Sequence, residues 1–176
     1  MTEFTLGVML VAPLFLGFLV HGVCIRFGIV RALAVPIGRR LFGENKTYRG
    51  IVCVALGTAA GFAISNPRAL SLEHAGRADL ALLGAVVGMG AMLAELPNSY
   101  LKRRAGIPPG AQADGNRGLA FHVLDQVDVV FGAWMVLVWV TRLTPIRLAG
   151  SLVAVYIGHQ VVSFLGYRLG MRATPR

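Results

Sequence analysis

Thr5 to Ile25 reads TLGVMLVAPLFLGFLVHGVCI, a run in which only His21 can carry a charge near neutral pH. Coiled as a helix it rises about 30 Å, the thickness of a bilayer's hydrocarbon core. Apolar on every side, it has no face to offer water, so it predicts a membrane helix. Four further runs repeat the pattern. Gly50 to Ser65 is uncharged but short for a bilayer, Leu80 to Leu96 carries Glu95 at its end, a fourth begins near Asp125 and runs to Thr141, and Leu148 to Leu169 is interrupted by His159. The expectation is an all-α polytopic membrane protein with five transmembrane helices, forming one domain over residues 1–176, with two long loops building any site.

Composition agrees. Of 176 residues, 56% are hydrophobic and 14% charged, and the formal net charge is +9. A nucleic-acid partner is not expected, because the cations sit in short runs between apolar segments and not on one aromatic-studded basic face. They sort by side instead. Six Lys and Arg lie in 26–49, four in 98–124 and three after 167, against two in 66–79 and two in 142–147. By the positive-inside rule this predicts a multi-pass protein of the cytoplasmic membrane, its N-terminus outside and its C-terminus and long loops cytoplasmic. Glu3 stands where a signal peptide would carry basic residues, so the first helix is expected to remain. Cys24 and Cys53 lack zinc or disulfide spacing and read as buried small hydrophobes. Gly57/Gly61 and Gly84/Gly88 are Gly-xxx-Gly pairs that let helix backbones approach, within the chain or in a homodimer.

The chemistry is concentrated in three places. Asp125-Gln126-Val127-Asp128 puts two carboxylates on one helical face where a polar loop enters an apolar segment. A charge one turn inside a membrane is costly without a partner, and a divalent cation, Mg2+, fits two carboxylates. Asp125 alone also reads as a helix N-cap, but Asp128 lies past capping range. Glu95 is either a third oxygen for the metal or a carboxylate snorkelling to the interface. Second, Lys102-Arg103-Arg104 follows Ser99 and precedes the turn-rich stretch Gly106 to Gly110; these cations either grip phosphate or anchor to lipid headgroups. Third, Lys46-Thr47-Tyr48-Arg49-Gly50 sets two cations and a hydroxyl at a helix N-terminus, a phosphate site or a positive-inside flank. It lacks Walker A spacing. Cations for phosphate opposite carboxylates for magnesium are the minimal equipment for phosphoryl or nucleotidyl transfer. His122, one turn before Asp125, stands near enough to touch a bound phosphate.

These motifs resemble those of the CDP-archaeol synthases, small membrane cytidylyltransferases related to the CDP-diacylglycerol synthases. Lys46-Thr47-Tyr48-Arg49-Gly50 is similar to the family's Lys-Thr-x-Arg-Gly, Ser99 to Gly106 to its Ser-Phe-x-Lys-Arg-Arg-x-Gly, and Asp125 to Asp128 to its Asp-Gln-hydrophobic-Asp, in family order and over nearly the whole chain. One departure stands out. Where the family has Gly-Asp, this chain has Ala94-Glu95, one methylene longer. The resemblance implies transfer of CMP from CTP to a membrane lipid phosphate, of the 2,3-di-O-geranylgeranylglyceryl phosphate or phosphatidate type, in phospholipid biosynthesis. It implies Asp125, Asp128, Lys102 and Arg103 as catalytic groups, Asp125, Asp128 and Glu95 as magnesium ligands, and Lys46, Thr47, Arg49, Ser99 and Arg104 as substrate contacts. Loop 105–118 would close as a lid. A small transporter, with charges nearer the midplane, and a non-catalytic lipid-binding homologue are the rival classes at this point.

Overall fold

A computed structural model describes residues 1–111 and 115–168. The helices are α1 (Glu3–Val11), α2 (Pro13–Arg26), α3 (Arg39–Phe42), α4 (Tyr48–Ile64), α5 (Arg77–Arg104), α6 (Gly115–Leu137) and α7 (Pro145–Arg168), with 3₁₀ turns at Arg31–Leu33 and Pro67–Leu70. Among the described residues there is no strand beyond one isolated bridge, Pro36 to Thr47. Among the described residues four helical units are long and apolar enough to cross a membrane: Glu3–Arg26, in which Pro13 opens α2 directly after α1, then α5, α6 and α7. The fifth, α4, is apolar but has 17 residues, about 26 Å of rise, so it crosses only where the membrane is thin or its ends are completed by flanking polar turns.

Large apolar side chains point outward around the bundle. Leu56, Ile64, Leu82, Phe131 and Met135 are all more than half exposed, as expected of a surface meant for lipid. The core is thin and close-packed, with Leu10, Leu14, Phe62, Leu80, Val87, Val130 and Leu137 fully enclosed. Trp134 belongs to that core, donating its ring N–H to Ser151 at 3.0 Å, whereas Trp139 is 85% exposed.

Without water to drive helices together, contact depends on how closely backbones approach. Each predicted glycine pair does this inside the chain. Gly57 and Gly61 of α4 lie against Gly17 and Pro13 of α2, and a Cβ on Gly57 would sit 2.7 Å from the Gly17 Cα. Gly84 and Gly88 of α5 face Thr58 and Val54 of α4, where added Cβ atoms would come within 2.6 and 2.9 Å of backbone or side-chain oxygens. Both faces are spent within the protomer, so these pairs give a homodimer no support. A third glycine contact escaped the sequence reading: Gly90 of α5 and Gly132 of α6 face each other, backbone against backbone.

Two helices exceed the expected spans, and this positions the site. α5 was expected to end at Leu96 but continues through Pro97 to Arg104, and α6 begins at Gly115, ten residues before Asp125. Pro97 removes one N–H from the ladder, but it lies on the exposed face, where the freed carbonyl has room. Antiparallel and in contact at Gly90 and Gly132, α5 and α6 form a long hairpin whose far end is polar. At the bundle's other end, Arg147 bonds Glu3, Thr141 and the Arg142 carbonyl, tying the N-terminus to the start of α7.

Candidate functional site

The polar end of the α5–α6 hairpin gathers groups that the sequence scatters. On α5, Glu95, Asn98 and Lys102 recur at steps of three and four and share one face. Asn98 is 94% buried and donates both amide hydrogens, to Asp125 Oδ1 at 2.7 Å and to Asp128 Oδ2 at 2.9 Å. Lys102 meets both oxygens of Asp125, at 2.5 and 2.7 Å, and lies over the Phe121 ring. The expected pairing of Asp125 with Asp128 on one helical face is therefore present. Asp125 is not an N-cap, since it stands ten residues inside α6.

The first loop reaches the same place by folding back on itself. Ile37 N–H bonds the Lys46 carbonyl at 2.8 Å and Tyr48 N–H bonds the Val35 carbonyl at 3.1 Å, fixing residues 46–48 at the entry to α4. From there Lys46 Nζ forms an ion pair with Glu95. Burial works to strip the Lys46 ammonium of its proton, but Glu95, with help from Asp128 and Asp125, outweighs this and raises its pKa above the ordinary lysine value. Lys46 therefore stays charged at physiological pH. The same influence places all three carboxylates within electrostatic reach of Lys46.

Other predicted residues take different positions. Thr47 uses its hydroxyl to cap α4, accepting from Gly50 N–H at 3.3 Å. Ser99 is buried on α5, and Arg103 lies beneath Gly43. Arg104, about 200° around the helix from Lys102, is exposed and is not brought into the cluster. Glu95 faces Lys46, and among the described residues no three of His, Cys, Asp and Glu form a metal-holding group. His122 lines a small pocket with Lys102, Phe121, Asp125 and Ile107. His21, read from the sequence as a helix contact, also arrives at this end: its ring lies against Gly50, beside Arg49. The proposed lid, 105–118, includes residues 112–114 outside the described residues, and Leu169 and the arginines at 172 and 176 lie outside them as well.

What the cluster lacks is informative. Arg49 Nε and Arg103 Nε and Nη1 are buried donors with no partner; Asn98 Oδ1 and Asp128 Oδ1 are buried acceptors with none. Unpaired buried polar atoms cost about 1–3 kcal/mol each, so a ligand that completes them gains by doing so. The acceptors suit a hard cation such as Mg2+, which takes oxygen donors, and the arginine donors suit phosphate oxygens. Thr58 and Gln126 also hold unpaired buried atoms, Gln126 both a donor and an acceptor.

An open groove of about 210 Å³ runs along the lipid-facing side of α5 and α6 to this point. Its walls are Pro97, Leu101, Leu124 and Phe131, and its polar end is Asn98 and Asp128. An apolar trough ending on polar atoms can seat an amphiphile with its head at the carboxylates.

The chain is 31% identical over 140 residues to the CDP-archaeol synthase of Sulfolobus acidocaldarius, covering 78% of this chain and 76% of that one. It is equally similar to that of Saccharolobus solfataricus, with 75% of the relative covered, and 31% identical over 149 residues to that of Aeropyrum pernix, covering 81% and 75%. No solved structure matches the chain. A family profile described as CarS-like, CDP-archaeol synthase, matches residues 9–175, and the chain belongs to that family.

Proposed function

We propose that the protein is a magnesium-dependent CTP:lipid-phosphate cytidylyltransferase, transferring CMP from CTP to a membrane lipid phosphate and releasing pyrophosphate. The relatives' activity makes an ether-linked isoprenoid glycerol phosphate the first acceptor to test and phosphatidate the second. One observation carries the reading: Asn98 holds Asp125 and Asp128 together beside Lys102, while Arg103 and Arg49 keep unpaired N–H groups. The positive-inside bias supports a cytoplasmic position for this end, where a soluble nucleotide would meet a membrane-resident headgroup.

The reaction needs no protein nucleophile. An oxygen of the lipid phosphate attacks the α-phosphorus of CTP in line, and the bond to pyrophosphate breaks, so the protein's task is positioning and charge neutralisation. Asp125 and Asp128 would hold magnesium, which when bound neutralises phosphate charge and polarises the reacting phosphoryl group. Lys102 and Arg103 neutralise the departing pyrophosphate. Lys46 and Arg49 grip CTP or the lipid phosphate, Lys46 turning part of its charge from Glu95 to the ligand. The α5–α6 groove takes the first part of the lipid chains, fixing the headgroup at the carboxylates.

A transporter would spread its charges along a path through the bilayer. Here Lys46, Glu95, Lys102, Asp125 and Asp128 collect at one end, and the Arg147–Glu3 pair lies at the other. The test is purified protein in detergent with labelled CTP, Mg2+ and a panel of lipid phosphates. Formation of a CMP-lipid that needs both metal and acceptor is the expected result; folded protein that makes none with any acceptor refutes it.

A further inference from the structure

Glu95 stands where the family motif has a carboxylate, yet it is engaged by Lys46. One turn further along the same face, Asn98 touches both Asp125 and Asp128 through its NH2, and its Oδ1 is buried without a partner. We propose that Asn98 is the third oxygen donor of the cation site, presenting Oδ1 beside the carboxylates of Asp125 and Asp128 in the place that Glu95 does not fill. The inference rests on the metal-dependent reading above.

The geometry leads there in three steps. The two carboxylates are spanned by a single Asn98 nitrogen, so one atom between them is within 2.7–2.9 Å of both. A divalent cation brought to these carboxylates competes for the position of that nitrogen, and an amide hydrogen facing a cation is repelled. A half-turn about the terminal side-chain torsion, which is soft and two-fold, exchanges the amide's ends and turns Oδ1 toward the cation. Asp128 Oδ1, buried and unpaired, is then a further acceptor of the same site. Enclosure by α5 and α6 keeps Asn98 at 6% exposure, so it does not swing away to solvent. The ion pair with Lys46 keeps Glu95 occupied, which leaves the cation two carboxylates and one amide oxygen from the protein. Such a ligand set suits magnesium, which keeps water or phosphate in its remaining positions.

The test is Mn2+ titration of the full-length protein in detergent, followed by the loss of the free-ion electron paramagnetic resonance signal, with CTP present and absent. Wild type is compared with Asn98→Ala, Asn98→Asp and Glu95→Gln, each checked for melting temperature and monodispersity. Asn98→Ala should weaken Mn2+ binding at least tenfold, whereas Glu95→Gln should change it less than threefold. Asn98→Asp separates a ligand from a mere brace: it cannot donate to the carboxylates, so a brace would be lost and binding would weaken. A ligand becomes a third carboxylate and binding stays equal or tightens. Should Asn98→Ala fail to fold, Asn98→Asp decides alone. The proposal is overturned if Asn98→Ala binds like wild type, if Asn98→Asp weakens binding, or if Glu95→Gln is the variant that loses it. Wild type that binds no Mn2+ even with CTP overturns the metal-dependent reading itself.

Discussion

Substitution of Gly132 by alanine tests whether glycine contact between α5 and α6 sets the site's register. A Cβ there would press into the Gly90 carbonyl and lie 2.7 Å from the Ala94 Cβ, both on the facing helix. Carbon atoms settle at about 3.5–4.0 Å, so the helices must part by roughly 1 Å. Asp128 is one turn away and Asp125 two, and their bonds to Asn98 and Lys102 span 2.5–2.9 Å. Stretched by that amount they leave hydrogen-bond range. Overpacking should cost about 1–3 kcal/mol of stability. Misplacement of a catalytic group by about 1 Å can cost roughly a hundredfold in rate. The assay is CMP-lipid formation from labelled CTP at a temperature where the variant remains folded, beside its melting curve. Gly22→Ala is the control: a Cβ there meets nothing within 4 Å, so rate and melting temperature should hold or rise. If Gly132→Ala keeps its rate within twofold, the hairpin contact does not position the carboxylates.

Asp128→Asn should lower the rate more than tenfold, because a neutral amide loses the charge that holds a divalent cation; unchanged turnover would remove Asp128 from the site. Lys102→Ala should lower the rate without unfolding the protein, since it leaves Asp125 to Asn98 alone; melting temperature and turnover measured together check this. Arg103→Ala should raise the KM for CTP about 10- to 100-fold, the worth of charge-assisted bonds, and Arg104→Ala far less, as steady-state kinetics with both variants would reveal. Arg147→Ala should lower the melting temperature and leave the rate at permissive temperature unchanged, because that side chain ties the opposite end of the bundle.

Much of the fold was legible because lipid imposes a simple rule: apolar runs of sufficient length become helices, and small residues mark where they touch. All five runs appear as helices at the expected places. The sequence hides where those helices end. A span is bounded by the loss of hydrophobicity, but a helix is bounded only by the loss of its hydrogen-bond ladder, and polar residues do not break that ladder. Asn98 to Arg104 and Gly115 to Leu124 therefore read as loop while forming helix. The consequence for the site was specific. With α5 ended at Leu96, Asn98 had no face, and the stripe Glu95, Asn98, Lys102 could not be seen. The carboxylate pair was legible since its own spacing reveals it, whereas Lys46 with Glu95 depends on a loop turning back, which no local pattern records.

The distribution of unpaired atoms explains why so polar an arrangement persists in so apolar a chain. Glu95, Asp125 and Asp128 lie within electrostatic reach of Lys46, Lys102 meets Asp125, and Arg49 and Arg103 stand at the same end of the bundle, a setting suited to an anionic nucleotide. Yet the pairing is incomplete in a directional way. Lys46 and Lys102, flexible point charges, are matched to Glu95 and Asp125, while the two arginines, with rigid forks suited to phosphate, hold donors in reserve. The other reserve consists of oxygens, on Asn98 and Asp128. Each atom left alone lowers stability. Under the function proposed above, a metal-loaded triphosphate, with its positive centre and anionic surround, would complete both sets.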